Sequence, residues 1–224
     1  MDIYFITGTD TDAGKTVAAF GFVQYLVERG QRVAVMKPVA SGCEMTDGQL
    51  KNSDALALMK VANVTQPYKQ VNPYTFKPAI APHIAAADEN VEISLDKLQQ
   101  TVDGIRQSNV DALVIEGAGG WQLPLSNSHF MPELVKRLSA KVILTVGLKL
   151  GCLNHALLSA QSIKASGCDL AGWAAVQTSE APMPRQTENL ETLIAVLRSK
   201  PIAVLPYIPD WQTQNLASKF SLVY

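Results

Sequence analysis

The sequence predicts an α/β fold, a mainly parallel sheet with helices on both faces. Three observations lead there. Apolar strand-like runs alternate with segments of helical spacing along the chain, and such alternation builds a parallel sheet covered on both sides. A Gly-Lys-Thr triplet, Gly14-Lys15-Thr16, ends a loop opened by Gly8, with an apolar run before it and a helix-compatible segment after it. The composition is that of an ordinary globular chain: 224 residues, 47% hydrophobic, with a formal net charge of −1.

The elements follow in order. Ile3–Thr7 is a short apolar run, as expected of a strand buried on both faces, and Val17–Glu28 has helical spacing. Arg32–Met36, Ala112–Ile115, Val142–Val146, Gly172–Val176 and Ile202–Leu205 repeat the strand pattern. Leu95–Arg106, Met131–Leu138, Asn154–Ala165 and Glu188–Leu197 repeat the helical one. The connection from Lys37 to Asp111 far exceeds the dozen or so residues of a helical crossover. It carries several prolines and a short helix at Ser53–Lys60. The expected organisation is therefore one domain over residues 1–224, with an insertion at about 38–94 that covers or builds a substrate site. A chain of this size buries about 70% or more of its unfolded surface.

Composition excludes some partners. A net charge near zero gives no electrostatic reason to expect nucleic acid or an anionic membrane. Three cysteines, Cys43, Cys152 and Cys168, lack paired metal-ligand spacing and read as free thiols of a reducing cytosol. The loop opens at Gly8, which leaves no room for a cleavable signal, and no apolar run approaches the roughly 20 residues of a membrane span. A cytoplasmic location is expected.

Strand, glycine-bounded loop and a helix opening with Gly-Lys-Thr together make the context of a phosphate-binding loop, hence the P-loop NTPase fold. Backbone N–H groups and the positive helix end surround a phosphate, the lysine reaches its outer oxygens, and the threonine hydroxyl ligates Mg²⁺. Five residues rather than four separate Gly8 from Gly14. Right-handed crossovers put the carboxyl ends of all parallel strands on one edge, where ligands bind. That edge carries Lys37, Glu116, Gly147-Leu148-Lys149, Gln177 and Pro206-Tyr207. Lys37, held extended by Pro38, is a second cation to offset charge in phosphoryl transfer. Glu116, at the end of Leu113-Val114-Ile115 and before Gly117-Ala118-Gly119-Gly120, is the expected Mg²⁺ partner of Thr16. Asn52-Ser53-Asp54 reads equally as an ordinary helix cap. The helix start at Lys149–His155 is either a seat for a carboxylate or a connection capped by Asn154. His83 and His155 have structural roles on this reading.

These motifs, in order, resemble dethiobiotin synthetase: Gly8–Thr16, Lys37-Pro38-Val39-Ala40-Ser41-Gly42, Asn52–Leu56, Glu116–Trp121 and Lys149–His155. Asn72-Pro73-Tyr74, Pro82-His83-Ile84 and Ala171-Gly172-Trp173 resemble it too, and the likeness runs to about Pro206. It implies a ligase of biotin biosynthesis that uses ATP with Mg²⁺. A 7,8-diaminononanoate is carboxylated by CO₂, the carbamate is phosphorylated, and ring closure gives dethiobiotin, ADP and phosphate. It further implies a homodimer whose helix start at Gly151, Cys152, Leu153 and Asn154 reaches the partner's substrate. By the same resemblance Lys37 and Lys15 are catalytic, Thr11 and Ser41 line the diamine site, and Thr16, Asp54 and Glu116 hold Mg²⁺. ATP would meet Asp12, Ala13, Gly14, Lys15, Thr16, Val17, Asp54, Glu116, Gly117, Ala118, Gly119, Gln177, Pro206, Tyr207 and Ile208. Many relatives carry Asn-Asp after the fifth strand, the Asn reading adenine, where this chain has Val176-Gln177. Base recognition then moves to Gln177, to the backbone at Pro206–Ile208, or is lost. Three alternatives stay open: a related ATP-dependent ligase, a member drifted to another substrate, and a non-enzymatic nucleotide switch.

Overall fold

A computed structural model describes residues 1–221. In chain order its strands are β1 (Asp2–Gly8), β2 (Val33–Met36), β3 (Val39–Ala40), β4 (Glu44–Thr46), β5 (Gln49–Lys51), β6 (Tyr74–Thr75), β7 (Ala112–Gly120), β8 (Lys141–Gly147), β9 (Asp169–Val176) and β10 (Ala203–Leu205). Six of them form one sheet in the order β10-β9-β8-β1-β7-β2. Every pair in it is parallel. Central β1 therefore delivers the phosphate loop to the middle of the carboxyl edge.

Alternation along β1 divides the interior into two cores. Ile3 and Phe5 join the core under the helices Pro82–Asp88, Leu95–Arg106, Met131–Arg137 and Cys152–Ala165. Tyr4 and Ile6 face the helices Lys15–Glu28 and Ser53–Val61. Both faces of the sheet are covered, which is why its strands read as continuous apolar runs. The helix Lys15–Glu28 starts at Gly14, which has a left-handed φ of 85° and no side-chain cap. A Cβ there would lie 2.6 Å from a methyl of Val176, so the glycine answers both the turn and the close approach.

The insertion seals an edge. Strand β2 is outermost, and its outward N–H groups would otherwise be a pairing template. Asn63 Oδ1 accepts from Val33 N at 2.7 Å, Gln66 Oε1 from Val35 N at 2.8 Å, and the Val71 carbonyl from Lys37 N at 2.7 Å. Beyond that edge, β3 pairs in parallel with β6, while β4 and β5 form a small hairpin.

Two features differ from the sequence expectation. Strand β7 does not stop at Ile115 but runs on to Gly120, with a register shift against β1 between Ile6 and Gly8. Glu116 is thus a mid-strand residue paired with Ile6, and the strand continues through its glycines to Gly120, with Gly119 left-handed at φ 59° within the irregularity. Residues 211–220 pack on the first helix. Trp211 meets Phe20 edge-on at 5.0 Å, Gln24 accepts from Leu216 N at 2.8 Å, and Phe220 lies over Gly21, where a Cβ would come within 2.6 Å of its ring.

Candidate active site

A cavity of about 890 Å³ opens at the carboxyl edge. Thr11, Asp12, Gly14, Lys15, Thr16 and Val17 line it from the loop; Lys37, Ser41 and Asp54 from the insertion side; Glu116, Ala118 and Gly119 from β7. Its far end is walled by Val176, Gln177, Pro206, Tyr207 and Ile208. Ala13 is fully buried beneath the loop. Gly117 packs on Phe5, where a Cβ would meet the ring at 2.9 Å, and offers the site only its carbonyl. Thr178, Pro209, Trp211 and the strip Ala79–Pro82 also line the cavity. Pro82 falls within the Pro82-His83-Ile84 motif; the others lie outside every motif that the sequence singles out.

Opposite charges concentrate at one point. Lys37, 4% exposed, lies 2.8 Å from Glu116 Oε1 and 3.1 Å from Asp54 Oδ2. Thr16 Oγ1 donates to the same Glu116 oxygen at 2.9 Å. The helix carrying Asp54 is capped by Asn52, whose Oδ1 accepts from the N–H groups of Asp54 and Ala55. Burial alone would pull the Lys37 ammonium down, but Glu116 and then Asp54 outweigh it and raise it above the ordinary lysine value. Lys37 is therefore a fixed cation at neutral pH. Burial pushes the Glu116 carboxyl up, against the pull of Lys37. Lys15 is lowered by burial in spite of Glu116, and its ammonium donates to the Asp10 carbonyl at 2.9 Å.

The residues present fit Mg²⁺. Glu116 Oε2 is buried and has no hydrogen-bond partner, an unmet acceptor beside the Thr16 hydroxyl and the Asp54 carboxylate. Among the described residues no group of three or more His, Cys, Asp or Glu forms a metal cage. Two carboxylates and a hydroxyl are a donor set suited to a cation that keeps waters and phosphate oxygens as its other ligands.

The remaining expected residues behave differently. Ser41 lines the cavity, and its Oγ is buried without a hydrogen-bond partner. Gly151, Cys152, Leu153 and Asn154 open the helix Cys152–Ala165 but do not line the cavity of this chain. The Cys152 thiol is buried and its N–H donates to the Lys149 carbonyl at 3.0 Å, so Cys152 offers a substrate neither group. Gln177 lines the cavity, yet its side-chain amide is engaged elsewhere. Nε2 donates to the carbonyls of Ser179 and Glu180 at 2.9 and 3.0 Å, and Oε1 accepts from Gln186 at 3.1 Å. The amide holds its own loop.

Comparison with known proteins agrees with this geometry. The family described as AAA domain matches residues 2–215. An ATP-dependent dethiobiotin synthetase of Idiomarina loihiensis is 61% identical over 98% of this chain and 99% of its own. One of Pseudoalteromonas translucida is 45% identical over 92% of this chain and 91% of its own. Among solved structures, MinD in its complex with MinC from Aquifex aeolicus superposes with a TM-score of 0.61 at 11% identity, covering 98% and 92% of the two chains. MinD of Pyrococcus horikoshii, solved with Mg-ADP, gives 0.58 at 17% identity, covering 98% and 92%. At such identities the likeness is one of fold.

Proposed function

This chain belongs to the ATP-dependent dethiobiotin synthetases, and from that premise we propose how its residues divide the work. The enzyme closes a cyclic urea on a vicinal diamine with CO₂ and ATP. The difficulty is electrostatic: a carbamate anion must attack the γ-phosphate of a polyanionic nucleotide, so repulsion makes up much of the barrier. The observation that carries the assignment is the buried cluster of Lys37, Glu116, Asp54 and Thr16 beside the phosphate loop. Lys37 places a permanent positive charge where the carbamate and the γ-phosphate meet, and Lys15 does the same from the loop. Stabilisation of this kind is strongest in a site that excludes water.

Thr16, Asp54 and Glu116 would hold Mg²⁺, which when bound supplies further positive charge to the phosphates. Thr11 and Ser41, which line the cavity, would bind the diamine. Gly14 and its neighbours give backbone N–H groups to the phosphates, and the base lies toward Val176 and Pro206–Ile208. Omitting bicarbonate or diamine from an ADP-release assay tests the assignment, because phosphate transfer then has no acceptor. On the same premise the enzyme acts in the cytoplasm as a homodimer. Leu150, 80% exposed, and Leu158, 56% exposed, are apolar groups at the helix Cys152–Ala165 that a second copy would cover. Sedimentation of the wild type against Leu158→Glu reads that directly: a dimer that the variant weakens is expected, and a wild-type monomer would contradict it.

A further inference from the structure

A chain of polar groups, buried at Asn72 and Asn52 and half-buried at Tyr68, runs behind the active site and ties the Lys37 backbone to the helix that carries Asp54. Its centre is Asn72, 2% exposed. Asn72 Nδ2 donates to the Lys37 carbonyl at 2.6 Å and to the Tyr74 carbonyl at 3.2 Å. Asn72 Oδ1 accepts from the Tyr68 hydroxyl at 2.9 Å. That hydroxyl oxygen accepts from the Asn52 N–H at 2.7 Å. Asn52, itself buried, caps the helix through Asp54 N at 3.1 Å and Ala55 N at 3.3 Å. The chain thus starts at the main chain of Lys37 and ends at the main chain of Asp54. Across the cavity wall, the side chains of those same two residues meet at 3.1 Å.

We propose that Asn72 and Tyr68 are positioning residues for the reaction: they set the spacing between the Lys37 ammonium and the Asp54 carboxylate. Resting on the assignment of Lys37 and Asp54 to catalysis and metal binding, the inference adds what fixes their geometry. Lys37 follows the four-residue strand β2, and Asp54 lies on a helix 17 positions further on, so local structure alone does not set their separation. Each member of the chain is satisfied by the next, and such networks in a low-dielectric interior hold one arrangement firmly. Displacement of about 1 Å at a reacting group costs up to about a hundredfold in rate, so a rigid backing has a direct kinetic value. Of the residues that link Lys37 to Asp54, Asn52 lines the cavity, while Asn72 and Tyr68 do not.

Tyr68→Phe tests this, with Asn72→Ala as a second variant at the other end of the chain. Tyr74→Phe is the control. Its hydroxyl accepts from Ser94 N at 2.9 Å, a comparable bond in the same insertion that reaches neither Lys37 nor Asp54. All are assayed for kcat, for the KM of ATP and of the diamine, for the Mg²⁺ concentration giving half-maximal rate, and for Tm, beside Lys37→Ala. Tyr68→Phe is expected to lower kcat about tenfold, keep the KM of ATP within about twofold and raise the Mg²⁺ requirement. Tyr74→Phe is expected to lose a similar Tm while keeping kcat and the Mg²⁺ requirement. Wild-type kcat and Mg²⁺ dependence in folded Tyr68→Phe, with Lys37→Ala inactive, would overturn the positioning role alone. The same holds if Tyr74→Phe loses as much rate as Tyr68→Phe. If Tyr68→Phe does not fold, the same readings on Asn72→Ala decide. Full activity in Lys37→Ala would remove the underlying assignment instead.

Discussion

Replacing Lys37 by alanine removes an ammonium held 2.8 Å from Glu116 and 3.1 Å from Asp54. Two effects follow, and they are separable. Glu116, 1% exposed, keeps the Thr16 hydroxyl as its hydrogen-bond partner and only the more distant Lys15 as a nearby cation, so its buried charge is poorly compensated. Breaking a buried pair in this way typically costs about 3–5 kcal/mol, and in a chain of this size each kcal/mol lowers Tm by about 2–4 °C. Catalysis loses a cation at the phosphoryl group, about 3 kcal/mol of barrier or on the order of a hundredfold in kcat. The stability loss carries its own signature. Without the ammonium, the carboxylate pair is free for a divalent cation, so Mg²⁺ should raise the Tm of Lys37→Ala by more than it raises that of the wild type. Thermal melts with and without Mg²⁺, run beside ADP release on the same preparation, read both effects. Turnover within twofold of wild type, or a Tm unchanged by the substitution, would refute the reasoning.

Glu116→Gln and Asp54→Asn keep shape but remove a hard anionic ligand, so each should raise the Mg²⁺ concentration needed for half-maximal rate by about tenfold or more; an unchanged titration in both would move the metal elsewhere. With Val176 apolar and the Gln177 amide already engaged, specificity constants for ATP, GTP and CTP should lie within about a hundredfold, where hydrogen-bonded reading gives 10⁴–10⁵. Exclusion of GTP and CTP by three or more orders of magnitude would place base reading on the backbone at Pro206–Ile208. Glu133 accepts from Phe130 N at 2.8 Å and pairs with His129 at 2.9 Å, and these contacts, the Phe130 amide first, hold its carboxyl below the usual range. A depressed carboxyl stabilises the fold above its ordinary value, about 4.3, and the contribution disappears as pH falls through the folded value. The stability gap between wild type and Glu133→Gln should therefore be present above that ordinary value, under about 1 kcal/mol for so exposed a pair, and close in acid; a pH-independent gap would contradict it.

How legible each part was in the sequence depends on which forces placed it. The six strands of the sheet stood out because strands buried on both faces must be apolar along their length. The phosphate loop stood out because its chemistry is mostly backbone and its glycines are obligatory. Glu116 was recognised as a site residue, yet its strand was ended too early. A Gly-Ala-Gly-Gly run reads as a turn, and only the Gly8–Gly120 pairing across a register shift, around a left-handed Gly119, shows that the strand continues through it. The four short strands of the insertion, two or three residues each, are too brief for any periodicity to register. Asn63, Gln66 and Asn72 are illegible as partners, since each has a bond to a backbone group 30 or more positions away. Gln177 was read by its chemistry, and the bonds that occupy it are set by the loop that follows. For the tail, Phe220 over Gly21 is a tertiary contact of two unremarkable residues, visible only once the chain has folded.

The central claim is that the cluster of Lys37, Glu116, Asp54 and Thr16 transfers phosphate to a carbamate that exists only when both diamine and CO₂ are present. The most direct measurement is ADP release by the wild-type protein with 7,8-diaminononanoate, bicarbonate, ATP and Mg²⁺, against mixtures lacking each in turn. ADP is expected to form at full rate only in the complete mixture and to fall to background when either diamine or bicarbonate is withheld. ADP formed equally well without the diamine, or none formed in the complete mixture, would contradict the account.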